Sequence, residues 1–209
     1  SLLGVNLVTS LAIGVSIFDS FSRGGSSEAA LISRLWTHSC GVGVLVREIW
    51  AGSSRKTKEA EFAFLCGLLH DLGKVVLFRA YPGQYGSIFA IRKSESDPAI
   101  SSYENQNYGA DHSVIGEMLA SQWGFPQELV AVIRRHHDPL ASDIPMIKAV
   151  MLADFMAKEL KIGYDGDDGL NEKATELQSK LNISEAEYDR LTTFASRERE
   201  NIEGFFRIR

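Results

Sequence analysis

Seven side chains carry the residue types from which this chain could build chemistry: His38, His70, His112, His136, His137, Asp71 and Asp154. Neutral imidazoles and ionised carboxylates are the ligands that borderline divalent ions prefer. All seven fall in segments that read as core helices, and most have apolar neighbours. His70 follows Leu65, Leu68 and Leu69 and precedes Asp71 directly. Asp154 stands in Met151-Leu152-Ala153-Asp154-Phe155-Met156. A carboxylate buried there needs a cation, strong hydrogen bonds or a raised pKa.

One arrangement satisfies all of them. His70 and Asp71, adjacent at a helix end, can serve two ions, the histidine taking one and the aspartate bridging to the next. His38 and Asp154 complete the first shell, and His112, His136 and His137 supply the second. Ions roughly 3.5–4 Å apart can hold a water between them and clamp a phosphoryl oxygen. Lys74, one turn after Asp71, can lean over the same site, which makes Lys74 and Asp71 the catalytic pair. Arg134 and Arg135 can grip a phosphate bidentately. The plainer readings are a His70–Asp71 hydrogen bond that locks a helix, Lys74 as a cation at a helix C-terminus, and the two arginines on a solvated face. His136 and His137 point about 100° apart on a helix, so one can bind metal while the other meets substrate or solvent.

Nearly every long segment has helical period, so the chain reads as all-α. The expected helices are Leu3–Phe21, stopped by Gly24-Gly25; one from Ser26 to about Trp50; and one from Glu59 to Ala80, before Tyr81-Pro82-Gly83. Others run from Gln84 to Lys93, from His112 to Trp123 with Asp111 as N-cap, and from Pro126 into His136-His137, broken by Asp138-Pro139. The last long core helix runs from Pro145 to Leu160. Residues 94–107 read as a polar loop with a short helix near Tyr103. After the acidic loop Gly163–Gly169 come two polar helices, Leu170–Lys180 and Ser184–Phe205. Two units follow: residues 1–162, and an extension, 163–209, packed on it. Asp165, Asp167 and Asp168 match the spacing of a calcium loop only loosely.

The 209 residues carry a net charge of -5, which argues against a nucleic-acid partner. The apolar run at residues 2–21 is broken by Asn6, Thr9, Ser10, Ser16, Asp19 and Ser20, and no stretch reads as a membrane span. Cys40 and Cys66 form no CxxC pair and read as buried, reduced thiols, which fits a cytoplasmic protein. The chain opens inside an apolar run without an initiator Met, so further chain is expected before it.

The string Gly67-Leu68-Leu69-His70-Asp71-Leu72-Gly73-Lys74 resembles the HD motif of the HD-domain phosphohydrolases, and His38 in Trp36-Thr37-His38-Ser39 fits that superfamily's first ligand. The wider frame resembles the HDOD family. Its landmarks are Leu3-Gly4, Tyr108-Gly109-Ala110-Asp111-His112 with Gly116, Trp123-Gly124-Phe125-Pro126 and Ile133-Arg134-Arg135-His136-His137. The similarity covers about Leu2 to Leu160. It implies an HD-like multi-helix bundle lacking its N-terminal helices, with a role in signal transduction. Many HDOD domains have lost the metal residues and are regarded as regulatory outputs, whereas here the set is retained. The resemblance therefore implies one of two roles. The first is a phosphohydrolase with two divalent ions (iron, manganese, zinc or nickel) acting on a phosphoester or nucleotide. The second is a non-catalytic module docking to a signalling protein or to a linked sensor or receiver domain. The residue order also resembles the HD-GYP phosphodiesterases. Yet Asp138-Pro139-Leu140 lacks their Gly-Tyr-Pro signature, and Arg34 stands where some of them carry an acidic ligand for a third metal.

Overall fold

The computed structural model describes residues 27–52, 57–91, 99–138, 144–167 and 174–205. The expected helix Leu3–Phe21 with its Gly24-Gly25 stop, the Leu3-Gly4 landmark, Pro139 and Asp168 lie outside the described residues. Within them the protein is all α-helix, with no strand. In chain order the helices are α1 (Ser27–Gly52), α2 (Thr57–Leu69), α3 (Leu72–Ala80), α4 (Gln84–Ile91), α5 (Ile100–Tyr108), α6 (His112–Gln122), α7 (Gln127–Arg135), α8 (Pro145–Glu159), α9 (Ala174–Leu181) and α10 (Glu185–Phe205).

Helix α1 is the axis of the fold. It is apolar on most sides because it packs along α2 and α8 and also meets α10. Its Ala29–Gly52 stretch is long and apolar enough to cross a membrane by length and composition, but 67% of its most apolar window is buried inside the protein. Two apolar clusters form the core. One joins Val42, Leu45 and Val46 of α1 to α2, α7 and α8 and takes in Leu177, Leu191, Ala195 and Ile202 from α9 and α10. The other joins Ile32, Leu35 and Trp36 of α1 to Val75 and Phe78 of α3, Tyr85 and Phe89 of α4, and Ile100 of α5. Polar residues collect where the clusters meet: His38 lies between Trp36 and Val42, and Asp71 and Lys74 flank the start of α3.

Several local signals act as expected. The Asp111 carboxylate accepts from the Ser113 and Val114 backbone N–H groups and caps α6. Pro145 opens α8, and Gly124, at φ 68, follows the end of α6. One expectation fails. The unbroken period over residues 59–80 predicts one helix, but the chain turns at His70–Asp71 and splits it into α2 and α3. Asp71 then sits at the N-cap of α3, yet its side chain makes no capping bond. An aspartate there ordinarily adds about 1 kcal/mol by capping; this one is turned inward instead.

Candidate metal centre

Five elements deliver the site: α1 brings His38, the α2–α3 turn His70 and Asp71, α6 His112, the end of α7 His136 and His137, and α8 Asp154. Close helix approach makes this possible. A Cβ on Gly73 of α3 would overlap the His112 carbonyl oxygen on α6 and stand 2.9 Å from Gly116 N.

Asp71 lies at the centre, 2% exposed. Its Oδ1 is 3.5 Å from His112 Nε2 and 3.5 Å from His136 Nε2, and its Oδ2 is 3.4 Å from His70 Nε2. Backbone and carboxylate acceptors fix three of the rings from behind. His70 Nδ1–H donates to Gly67 O at 2.7 Å, and His136 Nδ1–H to Ile133 O at 2.9 Å. His112 Nδ1 faces Glu104 Oε2 at 2.6 Å. Such partners set the tautomer and aim Nε2 forward. Burial pushes His136 down to about 4, so near neutral pH its Nε2 is a bare lone pair. That atom and Asp71 Oδ1 are both buried without a hydrogen-bond partner. Two acceptors facing each other in a dry interior repel unless a cation stands between them.

The other two histidines differ. His38 Nε2–H donates to Asp154 Oδ1 at 2.9 Å. His137, the one exposed member of its cluster, has its Nε2 3.0 Å from His112 Nε2. Ligand-type atoms of Asp71, His112, His136 and His137 fall within 4.8 Å of one another, as do those of His38, His70 and Asp71. Those of His38, Asp154 and Asp165 do so as well, and these donor sets fit a divalent cation.

Sequence reasoning missed three partners. Lys158, one turn after Asp154 on α8, donates to Asp154 Oδ2 at 2.8 Å and lies 3.3 Å from Asp165 Oδ2. Asp165, read as part of an acidic loop, is buried and accepts from Lys74 Nζ at 3.0 Å. Glu104 lies in the short helix expected near Tyr103, within a segment read as polar, and is buried on α5. The i,i+4 spacing of Asp154 and Lys158 was the one readable signal. Gly163, at φ 67, lets the loop after α8 press on α1: its Cβ would stand 2.8 Å from His38 Cα, and Tyr164 N–H donates to Arg34 O at 3.0 Å.

Lys74 donates to Asp71 Oδ2 at 2.8 Å and is fully buried. Burial disfavours its charge, but Asp165 and Asp71 more than offset this and raise its pKa. Lys158 is raised in the same way by Asp154 and Asp165. Burial would raise Asp71 and Asp154, yet Lys74 with His70, and Lys158 with His38, hold them well below the usual carboxylate range. Glu104 is also held low against burial, chiefly by His112. The carboxylates Asp71, Glu104, Asp154, Asp165 and Asp167 are all buried here, against two ammonium groups, so the cluster carries excess negative charge. Arg134 and Arg135 are committed elsewhere, Arg134 to Glu117 at 3.1 Å and Ser113 at 3.2 Å, and Arg135 to Asp138 at 3.1 Å.

The profile of the HDOD domain family matches residues 1–139 of this chain. The chain belongs to the HDOD family. Solved structures agree on the fold. An HDOD domain protein of unknown function from Geobacter sulfurreducens superposes with a TM-score of 0.71 at 20% identity, covering 98% of this chain and 71% of that one. A protein provisionally named a phosphohydrolase, from Shewanella amazonensis, gives 0.67 at 19% identity, with coverage of 96% and 71%. A protein provisionally named for signal transduction, from Marinobacter aquaeolei, gives 0.66 at 20%, with coverage of 97% and 44%. Among curated proteins, an uncharacterised protein of Treponema pallidum is 32% identical over 102 residues, 47% of this HDOD chain and 20% of the relative. The aligned part thus spans about a fifth of that relative's length.

Proposed function

We propose that this HDOD chain serves signal transduction and holds a dinuclear divalent-metal centre that hydrolyses a phosphoester or nucleotide. The observation that carries this reading is the bare pair, Asp71 Oδ1 and His136 Nε2, facing each other at 3.5 Å. His38, His70, Asp71 and Asp154 would hold one ion, and Asp71, His112, His136 and His137 the other. Iron, manganese, zinc or nickel suits these donors. Bound there, the ions would supply Lewis acidity and lower the pKa of a water. Asp71 is held in place between the two ligand sets because Lys74 grips its Oδ2. Lys74 keeps its proton, so its Nζ can offset negative charge developing on a phosphoryl group. His137 is the exposed member of the cluster and marks the side from which substrate would enter.

A second reading, a non-catalytic regulatory module, is favoured by one observation: Lys74 and Lys158 already form ion pairs with Asp71, Asp154 and Asp165 from within the chain. Elemental analysis separates the two. The protein is purified without a metal-affinity column beside Asp71→Asn, and a phosphoester and nucleotide screen follows. The catalytic reading expects about two equivalents of metal and turnover, both lost in a folded Asp71→Asn. A well-folded wild type without metal sinks it and leaves the regulatory module.

A further inference from the structure

The ligand sets leave two fully buried polar groups without a part, Glu104 on α5 and Tyr85 on α4. Glu104 Oε2 accepts from the backbone N–H of His112 at 2.8 Å and faces His112 Nδ1 at 2.6 Å. Its Oε1 accepts from the Tyr85 hydroxyl at 2.6 Å. A carboxylate gripped by donors on both oxygens cannot rotate, and an ionised one cannot donate. His112 Nδ1 must then carry the ring proton, which leaves Nε2 unprotonated, 3.0 Å from His137 Nε2 and 3.5 Å from Asp71 Oδ1.

We infer that Glu104, braced by Tyr85, is a positioning residue: it fixes His112 in the Nδ1–H tautomer and thereby presents Nε2 to a divalent cation. The inference rests on the metal-centre reading and adds to it the residue that sets a ligand's protonation. The chemistry is general. A carboxylate behind a ligating imidazole orients the ring and raises its basicity, and losing such a partner costs about 10- to 100-fold in metal affinity. Glu104 does not need to touch an ion to do this. The Tyr85 hydroxyl keeps the second oxygen from swinging toward the ring.

The test uses the full chain with histidine labelled in ¹⁵N. Long-range ¹H–¹⁵N spectra of chelator-treated protein report the tautomer, and a Zn²⁺ competition titration reports affinity. In wild type, His112 is expected as Nδ1–H, with its proton far downfield because the bond is short and charge-assisted. Glu104→Met should let the ring populate the Nε2–H form and weaken Zn²⁺ binding by about 10- to 100-fold. Glu104→Gln, which can still accept from Nδ1, should keep the tautomer, move the Nδ1–H resonance upfield and retain most of the affinity. An unchanged tautomer or unchanged Zn²⁺ affinity in Glu104→Met overturns the inference. If Glu104→Met does not fold, Glu104→Gln decides, and an unmoved resonance overturns it. The two failures are separate. A wild type that binds no Zn²⁺ refutes the metal centre, and an unresponsive His112 ring refutes the role of Glu104.

Discussion

Replacing Gly73 by alanine puts a single methyl group between the two elements that bring Asp71 to His112. The new Cβ would overlap the His112 carbonyl oxygen and stand 2.7 Å from its carbon and 2.9 Å from Gly116 N. All three atoms are backbone, so no rotamer change relieves the clash. Ordinary carbon–carbon contact needs about 3.5 Å, so α3 and α6 must part by about 1 Å at this point. Metal–ligand distances tolerate about 0.2 Å. Asp71, two residues before the clash, and His112, within it, could then no longer share an ion. Overpacking of this kind costs about 3 kcal/mol, or roughly 6–12 °C in Tm for a chain of this size. Gly116→Ala is the control. Its Cβ meets the Ile133 Cγ2 methyl at 2.7 Å, a side-chain end that can move, and Gly73 N at 3.1 Å. It should cost about 1 kcal/mol and keep the ligand geometry. Thermal melts by far-UV circular dichroism read the stability, and a Mn²⁺ or Zn²⁺ titration reads the site. Gly73→Ala melting within about 2 °C of wild type, with metal affinity within about twofold, would refute the reasoning.

Lys74→Met removes a buried ammonium from between two carboxylates and should cost about 3–5 kcal/mol in chelator-treated protein; guanidinium unfolding measures it, and adding Asp165→Asn should recover part of the loss. Burial would raise Asp165, but Lys158 and Lys74 hold it at about 2, below the ordinary 3.8. Its contribution, about 2 kcal/mol, is therefore present above pH 4 and is lost as pH falls through the folded value. Urea unfolding of chelator-treated protein between pH 5 and about pH 2 should show this fall, and Asp165→Asn should flatten it. Asp111→Ala removes the cap of α6 and should cost about 1 kcal/mol while leaving metal affinity unchanged, as a denaturation curve and a titration would show.

Much of the fold is legible because helix period and punctuation agree. Asp111, Gly124 and Pro145 mark boundaries where the structure has them, and the apolar stripes between them leave little but helix. Five histidines and two aspartates stand out because imidazoles and carboxylates are rare in apolar helical runs, and the structure brings all seven to one place. The break at His70–Asp71 was hidden because no glycine or proline marks it and the apolar period runs through it. Glu104 was masked by its neighbours. Asn105, Gln106 and Asn107 are exposed and make the short helix near Tyr103 read as solvated, while one carboxylate in the run faces inward. Asp165 was masked likewise by the glycines and acids around it, because burial in a loop is set by what the loop presses against.

The loop after α8 bears on how pieces of this chain could be exchanged. The segment recognised as the family domain stops at residue 139, yet Asp154, Lys158 and Asp165 all lie beyond it. Lys74, inside that segment, draws half its counter-charge from Asp165 outside it. A chimera spliced at the edge of the recognised segment would inherit a buried ammonium without its second acid and a His38 without Asp154. The portion that can be transplanted whole is therefore longer than the portion that sequence comparison recognises: it reaches past Asp167 for the charges and through α10 for Leu191, Ala195 and Ile202 of the core.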